Sequence, residues 1–263
     1  MSRRPLLLTA ACTLFGLVAW TGRHMAPETA KYRVDIKSHQ VIDLSPVHQP
    51  PQTQDFAATG FLTISLKDST GGKSMDAVLD SMKVDSTSPI PQAVADSAKG
   101  SSWHGLVSPQ GKISGLIAGT KTTAGGQFES VLAGFFPRVK TGAKTGDTWT
   151  DTLDYTSDQG PATFTMRTVT NYSAPGTEAR GGIKALKVQA AYSAARTGTV
   201  HNPQGEMNIE GNGTGSGTYY VGTDGRFLGG ESMDSTNLSV VVAAAPAPIP
   251  ITSTTRMTIT RLP

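Results

Sequence analysis

The chain has 263 residues, 37% of them hydrophobic and only 16% charged, with a formal charge of +3, 29 Gly, 16 Pro and a single cysteine. That composition excludes a collagen, a coiled coil, a disulfide scaffold and a long acidic or basic tail, and it suits a β-rich globular protein. Most of the positive charge sits at the N-terminus, so the remainder is near-neutral and has little electrostatic reason to hold nucleic acid.

Residues 1–26 read as a signal peptide or N-terminal anchor. Ser2-Arg3-Arg4-Pro5 gives a basic start, and Leu6 to Trp20 is apolar without an acid, which is the export pattern. Ala19 with Thr21, or Ala26, offers small residues for cleavage. Leu8-Thr9-Ala10-Ala11-Cys12 is faintly like a lipobox, and Arg3-Arg4 is faintly like a twin-arginine signal. The expected location is therefore the periplasm or cell envelope, with membrane contact only through this segment. Once Cys12 leaves with it, the protein can form no disulfide.

Residues 27–263 are expected to form a single β-rich domain. In Lys31 to Leu44, Tyr32, Val34, Ile36, Ile42 and Leu44 share one face, while Lys31, Arg33, Asp35, Lys37, His39 and Asp43 share the other. That is a strand with one dry and one wet side, stopped by Pro46 and Pro50-Pro51. Leu62, Ile64 and Leu66 continue the pattern to a Gly71-Gly72 turn. Ser74 to Asp85 fits helix or strand, and its place after a glycine turn favours strand. Ser101–Val107 and Lys112–Ala118 flank the tight turn Ser108-Pro109-Gln110-Gly111.

One helix is predicted. Phe128, Val131, Leu132, Phe135 and Phe136 are spaced as one apolar stripe between Gly125-Gly126 and Pro137. It either plugs the core or lids a ligand cavity, and these five residues are the candidate ligand contacts. Further strands follow around Trp149 to Tyr155, Phe164 to Met166, Leu186 to Tyr192, Phe227 to Val242 and Ile251 to Leu262. Between them, Met207, Ile209, Gly211, Gly213, Gly215, Gly217, Tyr219 and Val221 lie at odd positions. Four glycines on one strand face require a sharp bend or a close neighbour, and the Phe128–Phe136 helix is the expected partner.

Searches for chemistry give little. Gly211-Asn212-Gly213-Thr214-Gly215 lacks the spacing of a nucleotide fingerprint, since Ser216 stands at the last glycine position. Gly72-Lys73-Ser74 is a hairpin turn rather than a P-loop. The histidines show no metal-ligand spacing. Asp147, Asp151, Asp154 and Asp158 form an acidic run, yet Asp151 and Asp154 fall on opposite strand faces. Trp103, His104 and Asp151 are the only places where catalysis would be sought. No catalytic residue, metal or cofactor is assigned, and the protein is read as a non-enzyme.

Several residues taken together are more specific. Phe136-Pro137, Gly146-Asp147-Thr148-Trp149, the run Gly211-x-Gly213-x-Gly215-x-Gly217-Thr218-Tyr219-Tyr220, and Asp224-Gly225-Arg226 are similar to a family of exported bacterial envelope proteins of unknown function. That family is distantly like the half-barrel carriers of periplasmic lipoproteins. The resemblance implies a mainly β fold, a large curved antiparallel sheet or half-open barrel, with one amphipathic helix packed in its concavity and acyl chains held there. It carries no catalytic residues. The expected partner is thus a lipid or other apolar ligand, or alternatively another envelope protein bound by a non-catalytic module.

Overall fold

The computed structural model describes residues 28–86, 88–120, 122, 125–158, 162–202, 205–242 and 247–263. The export segment and Cys12 lie outside them. Eleven strands form one antiparallel sheet: β1 (Glu28–Ile42), β2 (Gln52–Ser69), β3 (Gly72–Val84), β4 (Ser102–Val107), β5 (Ile113–Thr120), β6 (Thr148–Asp158), β7 (Ala162–Arg180), β8 (Ile183–Asn202), β9 (Gly205–Gly222), β10 (Phe227–Val242) and β11 (Ile249–Arg261). The order is β5-β4-β3-β2-β1-β11-β10-β9-β8-β7-β6. The first and last strands therefore meet in the middle, and the sheet does not close, because β5 and β6 remain its two edges.

This order is a meander split by one long connection. Every hairpin joins sequence neighbours, which is the least demanding way to pair antiparallel strands. Gly181 and Gly182, both at positive φ, make the two-residue turn between β7 and β8, where a side chain would be strained. β1 pairs with β11 from Tyr32–Arg261 to Ile42–Ile251. The Glu28 carboxylate accepts two hydrogen bonds from the Arg261 guanidinium, at 3.1 and 2.8 Å, and fastens this seam at one end.

Period-two alternation decides which face is buried. Tyr32, Val34 and Ile36 of β1, Leu62, Ile64 and Leu66 of β2, and Met75, Ala77 and Leu79 of β3 are all buried. Hence the ambiguous Ser74 stretch is strand, paired to β2 on one side and β4 on the other. A short helix, α1 (Gln92–Ser97), lies in the β3–β4 connection and was not expected. Its Gln92 amide donates to the Met82 carbonyl and accepts from the Val84 N–H, each at 3.0 Å, so it ties off the end of β3.

The second helix, α2 (Gly126–Ala133), sits in the connection from β5 to β6, so this segment passes from one edge of the sheet to the other. It is shorter than expected. Gly134 ends it, and Phe135 and Phe136 belong to the irregular chain that follows. Spacing alone could not register this, because the same apolar positions are buried whether or not the backbone stays helical.

Candidate functional site on the inner sheet face

The face that carries the core residues can be read row by row, because residues directly opposite in an antiparallel ladder share a side. The first row holds Val188, Tyr219, Gly230, Ile259, Val34, Gly60 and Met82. It is dry. Above it lie Phe128, Val131, Leu132, Phe135 and Phe136, none more than 3% exposed, in the same core as these strands. The Phe135 ring meets Tyr32 edge-on at 5.0 Å, Phe136 at 5.3 Å and Phe227 at 5.8 Å, the geometry aromatic pairs prefer. All five candidate residues are thus brought together, as packed core.

Two rows further on, the same face turns polar. Asp151, Thr170, Tyr192, Gly215, Asp234, Thr255 and Ser38 stand opposite one another across β6, β7, β8, β9, β10, β11 and β1. The next row continues with Leu153, Thr168, Ala194, Gly213, Thr236, Ser253 and Gln40. Thr168, Thr170, Asp234, Thr255, Ser38 and Gln40 are buried. Beyond this belt the face becomes apolar again around Ile42, Val240 and Ile251. Buried polar side chains are costly unless bonded. Some are: Thr255 Oγ1 donates to Ser38 Oγ at 3.1 Å, and Arg138, 4% exposed, forms an ion pair with Asp151. The Trp149 indole N–H donates to the Arg138 carbonyl at 3.2 Å and its ring lies 5.4 Å from Tyr172.

Other hydroxyls are not. Those of Thr168, Tyr172, Tyr192, Tyr219 and Ser232 are buried, and none closes a hydrogen bond among the described residues. Tyr172 leans toward Thr170 and Tyr219 toward Ser232, which favours ionisation slightly. Burial outweighs this, pushing the Tyr219 phenol up to about 12 and Tyr172 higher still. These groups are therefore neutral hydroxyls at physiological pH.

The glycine face of β9 belongs to this belt, and its neighbours differ from expectation. The Phe128 ring lies over Gly60 of β2, where a Cβ would come within 2.7 Å of it. Tyr192 covers Gly215 instead, with its ring and hydroxyl in the space a Cβ would take, and Tyr219 covers Gly217. Gly215 and Gly217 thus provide room taken by rings from the sheet itself, and Gly60 the room taken by a ring from α2.

The residues considered for catalysis are separated. Trp103 is buried at the dry end. His104 points outward and is hydrogen-bonded to Asp76 at 2.6 Å, with its side chain 60% exposed. Asp151 faces inward to Arg138 while Asp154 faces outward to Arg167, as strand parity requires. Among the described residues no group of three His, Cys, Asp or Glu could hold a metal ion, and no helix is long and apolar enough to cross a membrane. Two shallow grooves, of about 500 and 380 Å3, lie on the other face over β7–β11 and β7–β10, between Asn171, Gln189 and Glu231 in one and Thr197, Asn208 and Ser239 in the other.

No protein-family model matches the chain, and no curated protein matches it. Among solved structures it is similar to two substituted variants of the Rh. blastica porin, at 7% and 8% identity. They cover 88% and 89% of this chain and all of theirs, with TM-scores of 0.30 and 0.28. It is also similar to DynF from the dynemicin biosynthesis pathway of Micromonospora chersina, at 9% identity, over 98% of this chain and 92% of that one, with a TM-score of 0.24. Similarities this low bear on neither family nor function.

Proposed function

We propose that this is an exported envelope protein that binds an apolar or amphipathic ligand, such as a lipid, on the inner face of its open sheet. It is a non-catalytic, half-barrel-like carrier, with α2 and the Phe135–Phe136 segment as its lid. The observation that carries this reading is who fills the dry end. Phe128, Val131, Leu132, Phe135 and Phe136 come from a connection that joins the two sheet edges and is not itself part of the sheet. Burial of each such side chain is worth about 1.5–3 kcal/mol, so a ligand of equal apolar area can take their place. Small ligands use concave apolar surfaces, and displacement of this segment would expose such an apolar face.

A second reading, an interaction module of the envelope, is favoured by one edge. β5 carries no charged residue and leaves Ile117 67% exposed, whereas β6 at the opposite edge carries Asp151, Asp154 and Asp158. Uncharged strand edges invite another strand.

Native mass spectrometry with solvent extraction, on protein purified gently from an envelope fraction, tests the first reading. A stoichiometric lipid or other apolar adduct is expected. A clean apoprotein mass would overturn it, and crosslinking for a protein partner would follow.

A further inference from the structure

We infer that Ser102, on the outer face of the sheet, is an activated nucleophile that takes an acyl group from an activated ester or thioester. Nothing in this site depends on the proposed ligand-binding role, which concerns the opposite face.

Strand parity builds the site. Ser102 and His104 of β4 share the outer face, with Trp103 buried between them on the inner one. Asp76 of β3 stands opposite His104, and its carboxylate accepts a hydrogen bond from the His104 Nδ1–H at 2.6 Å. Lys67 of β2 lies 3.5 Å from the other carboxylate oxygen. An ionised carboxylate can only accept, so Nδ1 carries the ring proton, and in the neutral imidazole Nε2 presents a lone pair. On the other side of β4 the register shifts. Ser102 opposes Thr120 and Trp103 opposes Ala118, which leaves Gly119 as a bulged residue. A Cβ at Gly119 would stand 2.7 Å from Ser102 Oγ and 3.1 Å from His104 Nε2. One missing side chain thus lets the hydroxyl and the free ring nitrogen gather over the same backbone position. A hydroxyl, a base beside it and a carboxylate that orients the base are the parts that activate an oxygen nucleophile.

The neighbours select the donor. Val78 stands opposite Ser102 and Ile117 opposite His104, and both are exposed. They flank the hydroxyl and give an acyl chain apolar surface to lie on. In the reaction Ser102 Oγ bonds to the acyl carbon and the C–O or C–S bond to the leaving group breaks. The proton passes from Ser102 to His104 and then to the departing alkoxide or thiolate. Rapid turnover takes an enclosed site that excludes water and holds the oxyanion. His104 and Asp76 are instead open to solvent, so the product is one stable Ser102 ester per chain, in keeping with a protein that is not an enzyme.

The experiment incubates the full-length protein with p-nitrophenyl acetate, follows nitrophenolate release by absorbance and locates the acetyl group by tandem mass spectrometry. One acetyl group on Ser102 is expected, formed at least about tenfold faster than on Ser114, an exposed serine of β5. Ser102→Ala should abolish it. His104→Ala should slow it by about 100-fold, the usual worth of a general base. Asp76 acts through His104 as a positioning residue, so Asp76→Asn should slow acetylation less, by about tenfold. Asp76→Glu, which keeps a carboxylate, should recover part of the rate, and the Tm at pH 7 should stay near that of wild type throughout. Gly119→Ala keeps all three residues but places a methyl group against Ser102 Oγ and His104 Nε2, so it should slow acetylation as well. Acetylation of Ser102 no faster than of Ser114 overturns the inference. So does a rate that His104→Ala leaves unchanged, or acetyl groups confined to lysines and the N-terminus.

Discussion

The two ends of one sheet face follow opposite rules. At the α2 end, side chains from β1, β2, β3 and the β5–β6 connection interlock largely through apolar contacts, and the Tyr32 hydroxyl among the rings donates to the Phe227 carbonyl at 3.1 Å, while the Trp103 indole N–H and the Tyr219 hydroxyl close no hydrogen bond among the described residues. In the belt, the hydroxyls of Thr168 and Tyr192 are as deeply buried, yet neither closes a hydrogen bond among the described residues. The backbone is a paired antiparallel ladder in both places, with register shifts at Phe61/Leu62 and Phe227/Gly229 at the dry end, so the difference in polarity is written in side chains. Apolar packing gains from every contact made, whereas a buried polar group gains only with a partner at the right geometry. The dry end is therefore the larger source of stability.

The comparison is tested most severely at Phe135. It is fully buried and touches Tyr32, Phe136 and Phe227, so Phe135→Ala should cost about 3–5 kcal/mol. Urea denaturation of the full-length protein measures it. A loss below about 1 kcal/mol would mean that the segment is only loosely seated and that the dry end is not the source of stability. Asp151→Asn should have a smaller effect, about 2 kcal/mol. It strands the buried Arg138 charge, but the 30% exposure of the Asp151 side chain lets water compensate in part. The same denaturation curves decide this, and a neutral result would show the belt's ion pair to be dispensable.

Sequence alone carries much of the dry end and little of the belt. Alternation placed Tyr32, Val34 and Ile36 on the buried side and set Asp151 against Asp154, because strand parity is a local property. The burial of Phe128, Val131, Leu132, Phe135 and Phe136 was legible for the same reason, since a cluster of large apolar residues must leave water in any backbone state. The end of α2 at Ala133 was not, as Gly134 intervenes within the stripe without altering its periodicity. The belt needs the register. Thr170, Tyr192, Gly215, Asp234, Thr255 and Ser38 each come from a different strand, and nothing in any one of those strands identifies the row. Gly215 could be recognised as needing a close neighbour. Which ring supplies it is fixed only when Tyr192 is found opposite.

The smallest expected effect lies on the other face, where polar groups have water as an alternative. The hydrogen bond from His104 holds the Asp76 carboxyl below its ordinary value of 3.8. A carboxylate depressed in the folded state adds stability above its unfolded value, and that contribution is lost as pH falls through the folded one. The window therefore lies below about pH 4, where wild type should lose stability slightly faster than Asp76→Asn. With Asp76 40% and His104 60% exposed, solvent screening limits the difference to about 0.5 kcal/mol. Melting temperatures between pH 2 and 5 measure it, with pH 7 as reference. A difference several times larger would mean that this outer pair is as structurally committed as Arg138 and Asp151, and the contrast drawn between a wet face and a buried belt would fail. A slope indistinguishable from that of Asp76→Asn would be consistent with solvent replacing the His104 hydrogen bond at little cost, a substitution that the buried hydroxyls beside Gly215 do not have within the fold.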